Sequence, residues 1–102
     1  MSYFLALTIE LHFPQNGSLK GKRKELLAVR SALARRFGAT VAEVAHHDLW
    51  QRSTLAAALV SGSVGELDRA ANKIEHYLEA RFPQGVSVER RLVSFTDLAE
   101  LC

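Results

Sequence analysis

An α/β sandwich with the element order strand, helix, strand, strand, helix, strand follows from three observations on the sequence. Apolar residues recur with period two over residues 3–13, the mark of a strand with one buried face. Two later stretches, 18–37 and 63–81, carry apolar stripes at helical spacing. Between them lie two strand-like runs joined by the short connection His46 to Gln51, which makes the two strands antiparallel neighbours.

In the first strand Tyr3, Leu5, Leu7, Ile9, Leu11 and Phe13 point to one side, and Phe4, Ala6, Thr8, Glu10 and His12 to the other. The mostly apolar second set near its start marks a central strand, and Pro14, Asn16 and Gly17 end it. Ser18 is the N-cap of a helix that runs to Phe37, with Gly38 as the residue that closes it. Its buried stripe is Leu26, Val29, Leu33 and Phe37, with Leu19 and Leu27 at the margin. Thr40 to Ala45 is the second strand and Arg52 to Ser61 the third.

Ser63 and Glu66 have capping-box spacing at the start of the second helix, whose buried band is Leu67, Ala70, Ala71, Ile74, Tyr77 and Leu78. Pro83 and Gly85 end that helix, and Val86 to Phe95 is the fourth strand. Right-handed crossovers give a ferredoxin-like βαββαβ fold with strand order four, one, three, two and both helices on one face. Residues 1–95 are expected to form the single domain, with 96–102 as a short C-terminal tail, either a helical turn or a frayed end. The sheet's second face, with Phe4, Ala6, Thr8 and alternate alanines of Ala56 to Ala58, is left uncovered.

The 102 residues support one hydrophobic core, and 48% hydrophobic with 24% charged residues is ordinary for a soluble globular protein. No apolar run approaches the roughly 18 residues of a bilayer span, so no membrane partner is expected. The start, MSYFLALTIELH, lacks a basic n-region and a small-residue cleavage pattern, and reads as a strand. The single cysteine, Cys102, is the last residue, which excludes an intrachain disulfide and a cysteine metal site and fits a reducing cytoplasm.

The net charge of +2 is small, but its distribution is uneven. Lys20, Lys22, Arg23, Lys24, Arg30, Arg35 and Arg36 crowd the first helix against one acid, Glu25. Cations around a helix amino terminus combine ionic attraction with unpaired amides, so these seven are the candidate nucleic-acid contacts, with RNA or a ribosomal particle as partner. The third strand, STLAAALVS, carries no aromatic residue, which leaves no base-stacking platform on the sheet and implies backbone contacts with little sequence discrimination.

A second cluster, Glu43, His46, His47, Asp48, Trp50 and Gln51, is either a structural loop or a partner-recognition loop. In the structural reading Asp48 caps the connection, Trp50 covers the end of the core and His46 hydrogen-bonds nearby. His12, His46, His47 and Asp48 have the chemistry of metal ligands, but adjacent histidines on a strand diverge, so no metal site is assigned. There is no separated acid/base pair and no activated serine, so no catalytic residue, cofactor or small-molecule substrate is assigned, and a non-enzymatic role is expected, with a metal-dependent enzyme using His12, His46, His47 and Asp48 as the third and least favoured reading. Arg90 and Arg91 beside Glu89 alternate across the fourth strand and read as charges that guard a sheet edge. The main alternative to a nucleic-acid partner is a homodimeric protein-interaction module whose surface is the uncovered sheet face or the His46 to Gln51 loop.

The stretches TIELHFPQNGSLKGKRKEL (8–26), VAEVAHHDLWQRSTLAAALVS (41–61) and VSVERRL (86–92), with the second helix, resemble the YlxP-like family of small bacterial proteins. The resemblance spans nearly the whole chain and implies a ferredoxin-like fold. It departs at Gly21, where the family commonly has an acidic residue, and at Ala45 and His47, where it tends to have Asp and Gln. Genes of that family often lie near those for translation initiation and ribosome maturation, an implication that points toward RNA.

Overall fold

β1 (Tyr3–His12) is the spine of the molecule. Leu5, Leu7, Ile9 and Leu11 are each at most 2% exposed, which is the period-two pattern turned into burial. In the computed structural model, which describes residues 1–83 and 85–100, β1 is followed by α1 (Leu19–Phe37), β2 (Thr40–Ala45), β3 (Arg52–Ser61), α2 (Val64–Arg81), β4 (Val86–Ser94) and a short α3 (Phe95–Glu100). The antiparallel sheet has the order β2-β3-β1-β4, as the crossover argument requires. Register aligns Leu5 with Leu59, Leu7 with Ala57 and Ile9 with Leu55, so one sheet face is continuously apolar, and a one-residue slip would turn that whole set to solvent.

That face is covered by Leu26, Val29 and Leu33 of α1 and Leu67, Ala71, Ile74 and Leu78 of α2. Each of the valine, leucine and isoleucine side chains among them contributes about 1.5–3 kcal/mol when fully buried. Phe13 and Phe82 meet edge to face at 5.4 Å at one end of the core, and Phe37 and Tyr77 at 6.2 Å toward the other end of α1. Leu27, placed at the margin of the α1 stripe by its spacing, is 67% exposed.

The helix ends follow their sequence signals with one variation. Ser18 Oγ accepts from the Gly21 amide at 3.0 Å, and Gly38 closes α1 in the left-handed region at φ 71°. Ser63 Oγ accepts from Glu66 N at 3.2 Å, but the Glu66 carboxylate does not complete the expected box. It accepts from Ser61 Oγ at 2.7 Å, and Ser61 Oγ in turn accepts from Ser63 N at 3.0 Å. The hydroxyl of Ser61 thus relays the contact that the carboxylate makes directly in a capping box.

Phe95, read as the end of the fourth strand, instead opens α3, where its ring meets Phe4 edge to face at 5.7 Å and its amide donates to Ser2 O at 3.0 Å. The tail expected over 96–102 is therefore helical as far as Glu100, and Cys102 lies outside the described residues. No described helix is long and apolar enough to cross a membrane.

The β1–β4 ladder closes on a tight backbone approach. His12 N donates to Gly85 O at 2.7 Å, and a Cβ on Gly85 would stand 2.6 Å from His12 O. Gly85→Ala is expected to lower stability by about 1–3 kcal/mol, because backbone and not a flexible side chain must give way; urea unfolding monitored by circular dichroism measures it.

Candidate functional site

The first residue of the basic cluster to be placed by the structure is Lys22, and it is not on the surface. Its spacing to Leu26, Val29 and Leu33 puts it on the buried stripe of α1, and it is 1% exposed. Its ammonium reaches into the β2–β3 connection and donates to His46 O at 2.8 Å, Arg52 O at 3.1 Å and His47 O at 3.2 Å. Three donors meet three carbonyls, and Glu43 Oε2 lies 3.4 Å away as the counter-charge. Lys22 is therefore a correction to the expected nucleic-acid surface, since a cation with all its donors used inside the fold has none for a phosphate.

Glu43 is held from the other side by Ser53, whose buried hydroxyl donates to Oε2 at 2.6 Å. Burial raises the Glu43 pKa, but the Ser53 hydroxyl and the Lys22 ammonium outweigh it, so the carboxyl sits below its ordinary value. His47 Nε2 stands 4.0 Å from Glu43 Oε1 on the solvent side. A register shift between Glu43 and Ala45 and a left-handed His46, at φ 63°, bend the chain so that its carbonyls converge on Lys22.

The connection between β1 and α1 is tied to the same loop. Asn16 Nδ2 donates to Ser18 O and to Trp50 O, both at 2.6 Å, and Gln51 Nε2 donates to Asn16 O at 3.1 Å and Pro14 O at 3.3 Å. Phe13 N donates to Gln51 O at 2.9 Å. Asn16 was legible only as a strand stop, and its role here needed the tertiary approach of the two loops. The structural work expected of Asp48 and Trp50 is thus done by Lys22, Asn16 and Gln51. Asp48 is exposed, and Trp50, at 54% exposure, does not cover the core.

The remaining cations, Lys20, Arg23, Lys24, Arg30, Arg35 and Arg36, are exposed. Arg30 Nη2 donates to Val41 O at 3.4 Å, Arg35 Nε to Ser31 O at 3.4 Å, and Arg36 lies 5.1 Å above the Tyr77 ring. Glu25, the one acid of this helix segment, pairs with Arg81 of α2 at 3.0 Å. Lys20, Arg23 and Lys24 are left facing solvent on the first turns.

His12 and Arg52 are cross-strand neighbours on the open face. With Pro14, Asp48, Trp50 and Gln51 they line a cleft of about 620 Å³ at the end of the sheet. His12 and Asp48 share this cleft, whereas the His47 ring stands beside Glu43 and the His46 carbonyl binds Lys22. Among the described residues no three His, Cys, Asp or Glu side chains converge in a metal-holding arrangement. Arg90 and Arg91 do diverge. Arg90 leaves the edge strand β4 for α2, bonding Asp68 at 3.3 Å, Asn72 at 2.9 Å and Glu75, whereas Arg91 lies on the open face beside Ala6, Thr8 and Glu89.

Fold and site together define a small ferredoxin-like α/β protein whose two adjacent loops are locked by a buried lysine. The family model described as "Protein of unknown function (DUF503)" matches residues 4–90, and the chain belongs to that family. The uncharacterized protein YlxP of Bacillus subtilis (strain 168) is 28% identical over 68 residues, 67% of this chain and 73% of that one. Among solved structures, the de novo designed protein Foldit4 superposes with a TM-score of 0.60 at 9% identity, over 92% of this chain and 98% of the design. The 30S ribosomal protein S6 of Thermotoga maritima matches at a TM-score of 0.48 and 10% identity, over 97% and 94% of the two chains. The designed protein shows the fold and nothing more.

Lys22→Met is expected to lower stability by about 3–5 kcal/mol, because it strands Glu43 and three carbonyls in a largely dry site; chemical denaturation measures it. The pH dependence has a definite sign. The folded chain holds the Glu43 proton less tightly than the unfolded chain, so this contribution to stability is complete above the ordinary value of 4.5 and is lost as pH falls through the lower folded value. Denaturation midpoints measured from pH 6 down to about 3 should fall more steeply for the native chain than for Glu43→Gln.

Proposed function

We propose that this chain is a small RNA- or ribosome-associated protein that acts by binding, with the solvent-facing cations of α1 as its phosphate-contacting surface. The observation that carries this reading is the disposal of the nearby acids. Glu25 is paired with Arg81 and Glu43 with Lys22, so both carboxylates are neutralised by cations from within the fold. Among the described residues Lys20, Arg23 and Lys24 make no salt bridge, and their field faces an incoming polyanion unopposed. Backbone contacts of this kind confer affinity with little sequence preference.

The variant that tests this reading is Lys20→Ala, Arg23→Ala, Lys24→Ala, which spares the structural Lys22. Binding of ribosomal RNA and of assembled subunits is expected to weaken with salt, and the variant should lower the log–log salt slope by about 2, at ~0.7 for each phosphate left without its cation. Equal binding by variant and native chain, or none by either, rejects the basic face.

A second copy of this chain against the open sheet is the other reading. It is supported by Val60, 67% exposed on that face, beside exposed Ala56 and Ala58. Such a dimer persists in high salt and in the triple variant, and Val60→Glu reduces it to a monomer in sedimentation equilibrium; a monomeric native chain rejects it.

A further inference from the structure

We infer that the cleft between the β2–β3 connection and the end of the sheet binds one unpaired base of single-stranded RNA, stacked on the Trp50 indole with its phosphate at Arg52. The inference rests on the RNA reading and deepens it by naming where a base, and not only the backbone, is held.

Trp50 exposes about half its surface, yet the backbone beneath it is fixed. Its own carbonyl accepts from Asn16, the next carbonyl accepts from the Phe13 amide, and the Gln51 side chain spans to Pro14 O and Asn16 O. A half-exposed aromatic ring carried on a hydrogen-bonded main chain is available for stacking, and the backbone beneath it needs little further ordering on binding.

The cleft beside it supplies the polar groups a nucleotide needs, each at a different place. Arg52, exposed on the open face, is the cation for a phosphate, and the cross-strand His12 adds a ring donor. Asp48 repels phosphate, so the base edge and not the backbone lies against it, where the carboxylate accepts from an exocyclic amine. The volume of about 620 Å³ accommodates one nucleotide.

Position along the chain supplies the remaining support. Asn16 bonds both Trp50 O and Ser18 O, and Ser18 is the N-cap of the helix that carries Lys20, Arg23 and Lys24. The platform therefore adjoins the start of the cationic face, and one strand of RNA can run from those cations to the cleft. The missing aromatics of β3 are thereby replaced by a ring outside the sheet.

Trp50 is the sole tryptophan, so its fluorescence reads this site alone. The experiment titrates the full chain with a short oligocytidylate, whose amines suit Asp48, and follows both tryptophan emission and the anisotropy of a dye on the RNA. Saturable quenching is expected, with Trp50→Ala weakening binding roughly 5- to 100-fold, Trp50→Phe retaining most of it, and Arg52→Ala weakening it with quenching preserved at saturation. Anisotropy that rises without quenching, and is unaffected by Trp50→Ala but abolished by the α1 triple variant, overturns the cleft and leaves the basic face standing. Quenching that survives the triple variant with unchanged affinity supports the cleft and rejects the basic face, whereas no binding rejects both. Emission that shifts with protein concentration in the absence of RNA marks a contact between copies and overturns the inference.

Discussion

A lysine ammonium buried beneath a loop holds one end of this protein in shape. Lys22 leaves α1 where an apolar side chain would continue the stripe, and enters the β2–β3 connection at the point where the strand register shifts and His46 takes a left-handed backbone. The three carbonyls of His46, His47 and Arg52 converge on its ammonium, and Glu43 and Ser53 complete a charge-compensated centre. Among the described residues every buried side-chain polar atom has a hydrogen-bond partner, which is the condition under which such a centre stabilises a fold and does not weaken it.

This centre explains why the most distinctive residues of the sequence lie in two separated segments. Ser18 and Lys22 belong to one, and Glu43 to Gln51 to the other, yet they form a single packed unit in which α1 is fixed against the loop at both its cap and its first buried turn. What remains outward from that unit is chemically simple: exposed cations on one side, and an indole and a guanidinium on the other. Rigid support beneath and polar or aromatic groups above is how binding surfaces are positioned on small scaffolds.

The sequence made the fold legible because its signals were local and mutually consistent. Period-two burial in β1, Ser18 and Gly38 at the ends of α1, and the short connection between β2 and β3 left few topologies open. The site was less legible for a physical reason. Charge patterning treats all cations of a helix alike, whereas burial depends on phase, and Lys22 is in phase with Leu26, Val29 and Leu33. Applying the stripe argument to the lysine as well as to the leucines would have found it. Asn16 had no such signal, since its bonds to Trp50 O and Ser18 O exist only after two distant loops meet. Leu27 shows the reverse error of spacing, an apolar residue whose phase places it at the edge and whose side chain stays in solvent.

The burial of Lys22 also divides the amines of this chain into two chemical populations. Lys20, Lys24 and Lys73 present their ammonium groups to water, where acylating reagents and modifying enzymes meet them directly. Lys22, wrapped by carbonyls and paired with Glu43, is inert toward electrophiles until the loop above it lifts away. The rate at which that one amine becomes labelled is thus a clock for loop opening, built into the chain and readable by mass in the presence of any partner that holds the loop shut.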